Sequence, residues 1–510
     1  MAVGDGEASA AGGPPAGLAG RAAEGVAWSA AQKWVIRITG LATIAILTRL
    51  LTPADFGVVA IALALLPLIQ VLSDLGFSAY LVQADRPDAR TVSTAFWFSA
   101  GAGVTLSAGL IAIAHPVAGS LGVPEAAPVI QGLAPAALAV TLGSVPIALL
   151  RRALRFRAIA VQAVVAGAAG QAVAVLLAVL GLGVWALVAQ TVVYQVLATA
   201  LAWGASGWRP NRAFSGARLR EMTRFGAKVV GVELVSMIRV WAENLVVIAF
   251  LGPAGLGYLH IAQRLVQIAQ DLTTSALVPV STVVFAQLRA SAERLRAGYV
   301  RAVGVSYALV VPIMLVLAVA GPWLLPLLFG GQWSESVVPA QLLALAGVFT
   351  LGALDHGLFY GLGRPGAWFG YAVLVEAVAL AVTALAAPHG LVAIATGALA
   401  VALTATVARW AMVGRLLRAP GWTVAGPAAR VLLPAAPAGT AGLLLATWLR
   451  DATAWVALPA IVLTVLAVYL PLLRLAACQT WRELHGLAST TVRRIGRAGR
   501  ASAADVSAAP

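Results

Sequence analysis

The chain has 510 residues, of which 61% are hydrophobic and only 10% charged, with a mean hydropathy of +0.92. An ordinary soluble domain carries roughly 25% charged residues, so this composition excludes a water-soluble globular protein and indicates a polytopic membrane protein. The net charge of +15 reads as membrane topology, with some attraction to anionic headgroups, more readily than as nucleic-acid binding.

Residues 1–25, opening MAVGDGEASAAGGPPAGLAG, lack a basic start followed by an apolar run, so a cleavable signal peptide is not expected. They read as a disordered cytoplasmic leader. An apolar helix of about 20 residues crosses a hydrocarbon core of roughly 30 Å, and about fourteen windows of that kind follow. They cover 28–49, 57–76, 92–114, 127–150, 158–180, 184–205, 226–250, 256–281, 302–320, 336–360, 368–387, 391–413, 430–449 and 455–474. The expected fold class is therefore an all-α polytopic membrane protein of about 14 transmembrane helices.

Charge tests this count. With the N-terminus inside, the cytoplasmic breaks hold Arg86 and Arg90, RRALRFR (151–157), RPNRAFSGARLR with Arg224, RASAERLR with Arg301, Arg364, and then Arg415, Arg418 and Arg430. The tail from Arg474 to Arg500 follows, and outside stand Arg49 and Arg450. The alternation places both termini in the cytoplasm. The outer breaks are short, so no extracytoplasmic domain is expected. The lone Cys478 excludes an intramolecular disulfide and a cysteine metal cluster.

RLLTPADFGVVAIA (49–62) is followed 200 residues later by AFLGPAGLGYLHIA. At that offset Leu51, Pro53, Ala54, Gly57, Ile61, Ala62, Leu65, Gln70 and Leu72 recur as Leu251, Pro253, Ala254, Gly257, Ile261, Ala262, Leu265, Gln270 and Leu272. Locally, Thr52 is suited to cap a helix, Pro53 to its first position and Asp55 to its positive end, while Gly57 permits close approach. In the second copy Gly252 and Pro253 take the first two parts, and Gly255 replaces the acid. An even number of helices separates the copies, so they share an orientation and form parallel repeats, with the default substrate site in a cavity between them. The resulting division is a leader (1–25), an N-terminal six-helix bundle (26–225), a C-terminal six-helix bundle (226–415), two extra helices (416–475) and a basic cytoplasmic tail (476–510).

RLLTPADFGVVA with SDLGFSAYLVQ (73–83) resembles the opening of the polysaccharide-transport (Wzx-like) oligosaccharide flippases of the multidrug/oligosaccharidyl-lipid/polysaccharide exporter superfamily. GLGRP (361–365) and PHGLVAIATGALA (388–400) are similar to that family's later half. The resemblance implies a 6+6+2 helix organisation and a flippase, not an enzyme, that moves an undecaprenyl-diphosphate-linked oligosaccharide or other surface-glycan precursor to the outer leaflet of a bacterial cell membrane. Its partners would be that lipid-linked substrate, membrane lipids and other glycan-assembly proteins, with no nucleic acid. Three alternatives stand beside it: a cation-coupled multidrug exporter of the same superfamily, a lipid II flippase, and a membrane glycan polymerase or ligase. The last of these usually needs a sizeable outer loop, which is missing here.

Translocating a diphosphate head requires a wet, cationic cavity, and basic residues at membrane depth usually face a cavity or a partner. Lys33 and Arg37 lie one turn apart, Arg37 roughly 13 Å into its span; Arg239 and Arg264 lie about 20 Å and about 12 Å into theirs. These four and Lys228 are the candidate substrate-binding cations, arginine being suited to phosphate by its bidentate fork. The plainer alternative pairs Arg239 with Glu243 and Arg264 with Asp271, and lets Lys33 snorkel. The acids at depth, Glu233, Glu243, Asp271 and Glu376, with Asp74 and Asp355 nearer the helix ends, are candidates for coupling to H+ or Na+. Asp74, just before Gly76, is most simply part of a turn. Gln263, Gln267 and Gln270 give the eighth helix a polar side. GLGRPG fits a dinucleotide fingerprint but has no preceding strand; the five histidines show no ligand spacing. No cofactor or metal is expected.

Overall fold

The computed structural model describes residues 16–84, 87–274, 285, 288, 291–350 and 353–486. Residues 1–15 of the expected leader and 487–510 of the expected tail lie outside them. Every regular element among the described residues is helical.

Two compact units emerge, one formed by Met1–Leu51 with Val58–Trp241 and the other by Thr52–Gly57 with Ala242–Pro510. Unit one begins with α1 (Ala16–Leu50), which starts inside the segment read as a leader. Then come α2 (Pro53–Leu63), whose residues 53–57 belong to unit two, α3 (Leu65–Asp74), α4 (Phe77–Gln83), α5 (Ala89–Ser120), α6 (Ala126–Gly132), α7 (Ala134–Arg152), α8 (Phe156–Val179) and α9 (Val184–Ser206). The 59-residue α10 (Gly216–Thr274) runs on into unit two and is broken at Gly252, where φ is 68° and ψ −177°. That backbone favours glycine, and Pro253, with no N–H to donate, starts the second limb.

Unit two continues with α11 (Ala292–Phe329), α12 (Val337–Phe349), α13 (Ala353–Gly361), α14 (Pro365–Ala386), α15 (Leu391–Leu416), α16 (Gly421–Leu432), α17 (Ala435–Trp448) and α18 (Ala454–Ala476). Residues 478–486 form one more helical stretch.

Packing follows the same plan in each unit. In unit one α5 lies on α7, α7 on α9 and α9 on α8; in unit two α11 lies on α12, α12 on α15 and α15 on α14. The extra helices α16, α17 and α18 all pack on α11, of whose apolar window 72% is buried, the largest share among the spans.

Among the described residues twelve segments are long and apolar enough to cross a membrane. The difference from the expected fourteen lies in two places. The 28–49 window falls on α1, where Lys33, Arg37 and Arg49 dilute the apolar run. The 226–250 window and residues 256–274 of the 256–281 window fall on the single kinked α10, of which Met237–Gln270 qualifies as one segment, and residues 275–281 lie outside the described residues.

The two copies of the repeat meet inside unit two. A Cβ built on Gly57 would lie 1.8 Å from the carbonyl oxygen of Pro253, and one on Gly257 would lie 2.0 Å from the carbonyl oxygen of Pro53. Each glycine therefore seats its helix on the other copy's proline turn. The first copy is closed by a reciprocal cap: the Thr52 amide and hydroxyl each donate to Asp55 Oδ2 at 2.9 Å, and the Asp55 amide donates back to Thr52 Oγ1 at 3.3 Å.

Candidate functional site

Unit one holds a cavity of ≈ 540 Å³ lined by five helices, four of which supply polar groups, a volume within the usual range for small-molecule sites. Its floor is a tight reversal between α3 and α4. Leu75 and Gly76 both take left-handed backbone, with φ of 43° and 75°. Asp74 holds the turn: its carboxylate accepts from the Ser78 amide at 3.2 and 3.3 Å and from the Ser78 hydroxyl at 2.6 Å. α10 crosses this turn at Gly226, where a Cβ would stand 1.7 Å from the Leu75 carbonyl oxygen. Behind it Phe77, Leu81, Phe96, Val145 and Met222 form an apolar core that seats α4 against α5 and α7.

Into the cavity come Gln70, Asp74, Ser78 and Gln83 from α3 and α4, Ser144 and Arg151 from α7, and Gln195 and Thr199 from α9. Thr199 donates to the Ala139 carbonyl at 2.7 Å, which ties α9 to α7. Arg151 has no ion pair among the described residues. Its neighbour Arg152 is instead committed to the end of α4, donating to the Leu81 carbonyl at 2.9 Å and to the Ala84 carbonyl. The lining thus combines amides, hydroxyls, one carboxylate and one guanidinium, groups that match the hydroxyls of a sugar and a phosphate ester.

Beside the cavity, outside the spans, Tyr80 donates to Glu221 Oε1 at 2.7 Å and Arg218 to Glu221 Oε2 at 3.1 Å. Arg218 also lies 3.6 Å from Asp88, which caps α5 by accepting from the Thr91 amide and hydroxyl. The hydrogen bonds from Tyr80 and then Arg218 hold the Glu221 carboxyl below the usual carboxylate range. Those from Thr91 do the same for Asp88.

Of the expected cations, Lys33 is exposed and Arg37 and Arg239 half-buried in unit one, while Arg264 is exposed in unit two. Arg264 donates to Gln267 at 3.4 Å, and Gln263 donates to Glu243 at 3.3 Å. Gln270 donates to the Thr350 hydroxyl at 2.8 Å. The polar side expected of that helix therefore carries a run of side-chain contacts. Glu376 is half-buried on α14. Lys228, Glu233 and Asp271 lie in α10 with side chains outside the described residues.

Asp355 sits in a buried cluster of unit two. Arg409 Nε stands 3.1 Å from Asp355 Oδ2, with side-chain exposures of 4% and 3%. The Nε–H is not aimed at that oxygen, so the contact is an ion pair without a hydrogen bond. Tyr299 donates its hydroxyl proton to Asp355, and Arg409 Nη2 donates to the Phe349 carbonyl at 3.2 Å. Arg409 was not among the sequence candidates. A lone arginine within the apolar run of α15 is itself a signal of a buried acidic partner. The cavity residues Gln195 and Thr199 were likewise overlooked, although polar groups one turn apart on an apolar helix share a face. Arg151 was read only as a loop charge.

A family model described as a polysaccharide biosynthesis protein matches residues 46–338. The succinoglycan biosynthesis transport protein ExoT of Rhizobium meliloti (strain 1021) is 31% identical over 359 residues, 69% of this chain and 72% of its own. The lipopolysaccharide biosynthesis protein WzxC of Escherichia coli (strain K12) is 24% identical over 64% of this chain and 66% of its own. Among solved structures, an inward closed lipid II flippase MurJ superposes with a TM-score of 0.72 over 90% of this chain and 99% of that one, at 13% identity. The last likeness concerns the fold alone.

Proposed function

This chain belongs to the polysaccharide biosynthesis protein family, and from that premise we propose that it is a flippase, not an enzyme. It translocates a lipid-linked oligosaccharide or surface-glycan precursor, of undecaprenyl-diphosphate type, from the cytoplasmic to the outer leaflet by alternating access. It does so as a multi-pass protein of the bacterial cell membrane with both termini in the cytoplasm, alongside other glycan-assembly proteins.

The observation that carries this reading is the lining of the unit-one cavity. A chain of 61% hydrophobic residues places glutamines, hydroxyls and Arg151 around one space. The Ser78, Ser144 and Thr199 hydroxyls donate within the unit, which leaves their acceptor lone pairs and the amides of Gln70, Gln83 and Gln195 to meet the hydroxyls of a glycan head. Arginine suits the diphosphate by its planar fork, and Arg37, Arg239, Arg264, Lys33 and Lys228 are the further cations proposed along the route. The energy would come from H+ or Na+ acting on one of the membrane acids Asp271, Glu233, Glu243, Glu376, Asp74 or Asp355.

The test is translocation of a fluorescent undecaprenyl-diphosphate oligosaccharide in proteoliposomes, read by protection from an external glycosidase. The parent translocates it, and Gln195→Ala/Thr199→Ala slows it by about tenfold to a hundredfold, as expected for two lost hydrogen bonds. Arg37→Ala and Arg264→Ala are measured beside it. A parent that leaves the glycolipid in place, or that carries cationic dyes instead, overturns the reading.

A further inference from the structure

A second cavity, of ≈ 360 Å³, lies in unit two where α11, α16 and the end of α18 meet the helical stretch 478–486. The approach of that stretch to α11 is set by Gly304, where a Cβ would come within 2.9 Å of Thr480 Oγ1. It is latched by an ion pair at 2.7 Å between Arg301 Nε and Glu483. Three guanidiniums line the space, those of Arg301, Arg430 and Arg482, against the single carboxylate of Glu483. Glu483 is engaged with Arg301, and among the described residues neither Arg430 nor Arg482 has an acidic partner. Gln479 and Thr480 add neutral donors at the rim.

Ala292–Phe329 and Gly421–Trp448, at 38 and 28 residues, exceed the roughly 20 that a span needs; Arg301 and Arg430, each nine residues in, stand where the uncharged runs begin, and 478–486 starts just past the end of Ala454–Ala476. The excess positive charge is therefore held at the boundary between hydrocarbon and water, the level of lipid phosphates. We propose that this pocket binds the phosphate of an anionic group, with Arg430 and Arg482 as its charged donors and Thr480 as a neutral one. A membrane phospholipid headgroup is the source that the location favours, and free phosphate shares the same chemistry. The site is separate from the unit-one cavity and does not depend on what that cavity carries. Occupancy adds a bridge between α16 and the tail stretch, beside the Arg301–Glu483 latch.

The chain's sole cysteine, Cys478, is exposed and lines this pocket, which makes it a reporter needing no engineering. The full chain is placed in nanodiscs of phosphatidylcholine alone or with phosphatidylglycerol, oleate being the phosphate-free anion. A further arm adds inorganic phosphate to the phosphatidylcholine discs. The rate of Cys478 modification by N-ethylmaleimide, an uncharged reagent whose local concentration does not follow surface potential, is read in each, the oleate discs controlling for the effect of that potential on the thiolate fraction. Phosphatidylglycerol is expected to slow modification, and Arg430→Gln/Arg482→Gln to shift the dose needed by about a hundredfold, from about tenfold for each charge-assisted hydrogen bond to phosphate that is lost. Arg430→Lys/Arg482→Lys keeps the charges and retains protection. Arg474→Gln, an exposed arginine of the neighbouring turn that does not line the space, shifts the dose by no more than the about fivefold of general attraction at a membrane surface. Equal protection by inorganic phosphate alone supports the site and makes free phosphate its ligand. Protection by neither phosphate source, equal protection by oleate, or the same loss in Arg474→Gln overturns the proposal.

Discussion

Replacing Asp355 by alanine should be among the most damaging single changes in unit two, and restoring neutrality should repair it. Arg409 is 4% exposed and its ion-pair partner 3% exposed, at 3.1 Å, so removing the carboxylate strands a guanidinium in an apolar interior. The Phe349 carbonyl at 3.2 Å and the Tyr307 hydroxyl at 3.5 Å still accept from Arg409 Nη2, but neither carries a compensating charge. Breaking a buried pair from one side costs about 3–5 kcal/mol. For a unit of this size that corresponds to a fall in melting temperature of about 6–20 °C, at about 2–4 °C per kcal/mol. Removing both charges together, as in Asp355→Leu/Arg409→Met, removes the desolvation cost along with the attraction and should return stability to within about 1–2 kcal/mol of the parent. The assay is thermal unfolding of the detergent-solubilised chain for the parent, both single variants and the double, read as a cycle. A double variant no more stable than the worse single, or an Asp355→Ala variant melting within about 3 °C of the parent, the equivalent of about 1 kcal/mol, would refute the reasoning.

Gly57→Ala and Gly257→Ala should each destabilise by about 1–3 kcal/mol or more, because the new methyl meets a backbone carbonyl at 1.8 or 2.0 Å. Gly109→Ala, on α5 with open space around it, should be neutral or gain up to about 1 kcal/mol in helix propensity, and comparative unfolding temperatures check all three. Asp55→Ala opens the reciprocal cap with Thr52 and should cost about 0.5–2 kcal/mol, measured the same way. Tyr80→Phe removes the hydrogen bond that contributes most to lowering the Glu221 carboxyl. A depressed carboxyl contributes stability above its unfolded value and loses it as pH falls through the folded one. The difference between Tyr80→Phe and the parent should therefore be full at neutral pH and shrink below about pH 4, as followed by melting temperature across pH; a constant difference would exclude the ionised Glu221 as its cause.

The membrane class, the helical spans and the internal repeat were legible in residue order because they depend on local properties. Hydropathy over a window sets whether a segment crosses lipid, and proline, glycine and capping residues at a fixed offset mark the same turn twice. Thr52, Pro53 and Asp55 do what their local chemistry predicts. The family, too, was readable from motifs near that turn. Tertiary structure alone decided which distant groups share a space. Asp355 and Arg409 are 54 positions apart (409 − 355), and nothing periodic links them. The polar cavity likewise draws on α3, α4, α7 and α9 together, so no single window of sequence contains its chemistry. Local sequence sets each helix and its turns, whereas the pairing of charges and the enclosure of polar groups depend on how helices stack. That stacking is set by small contacts such as Gly57 on Pro253 and Gly226 on Leu75, whose reach across the chain only the folded structure reveals.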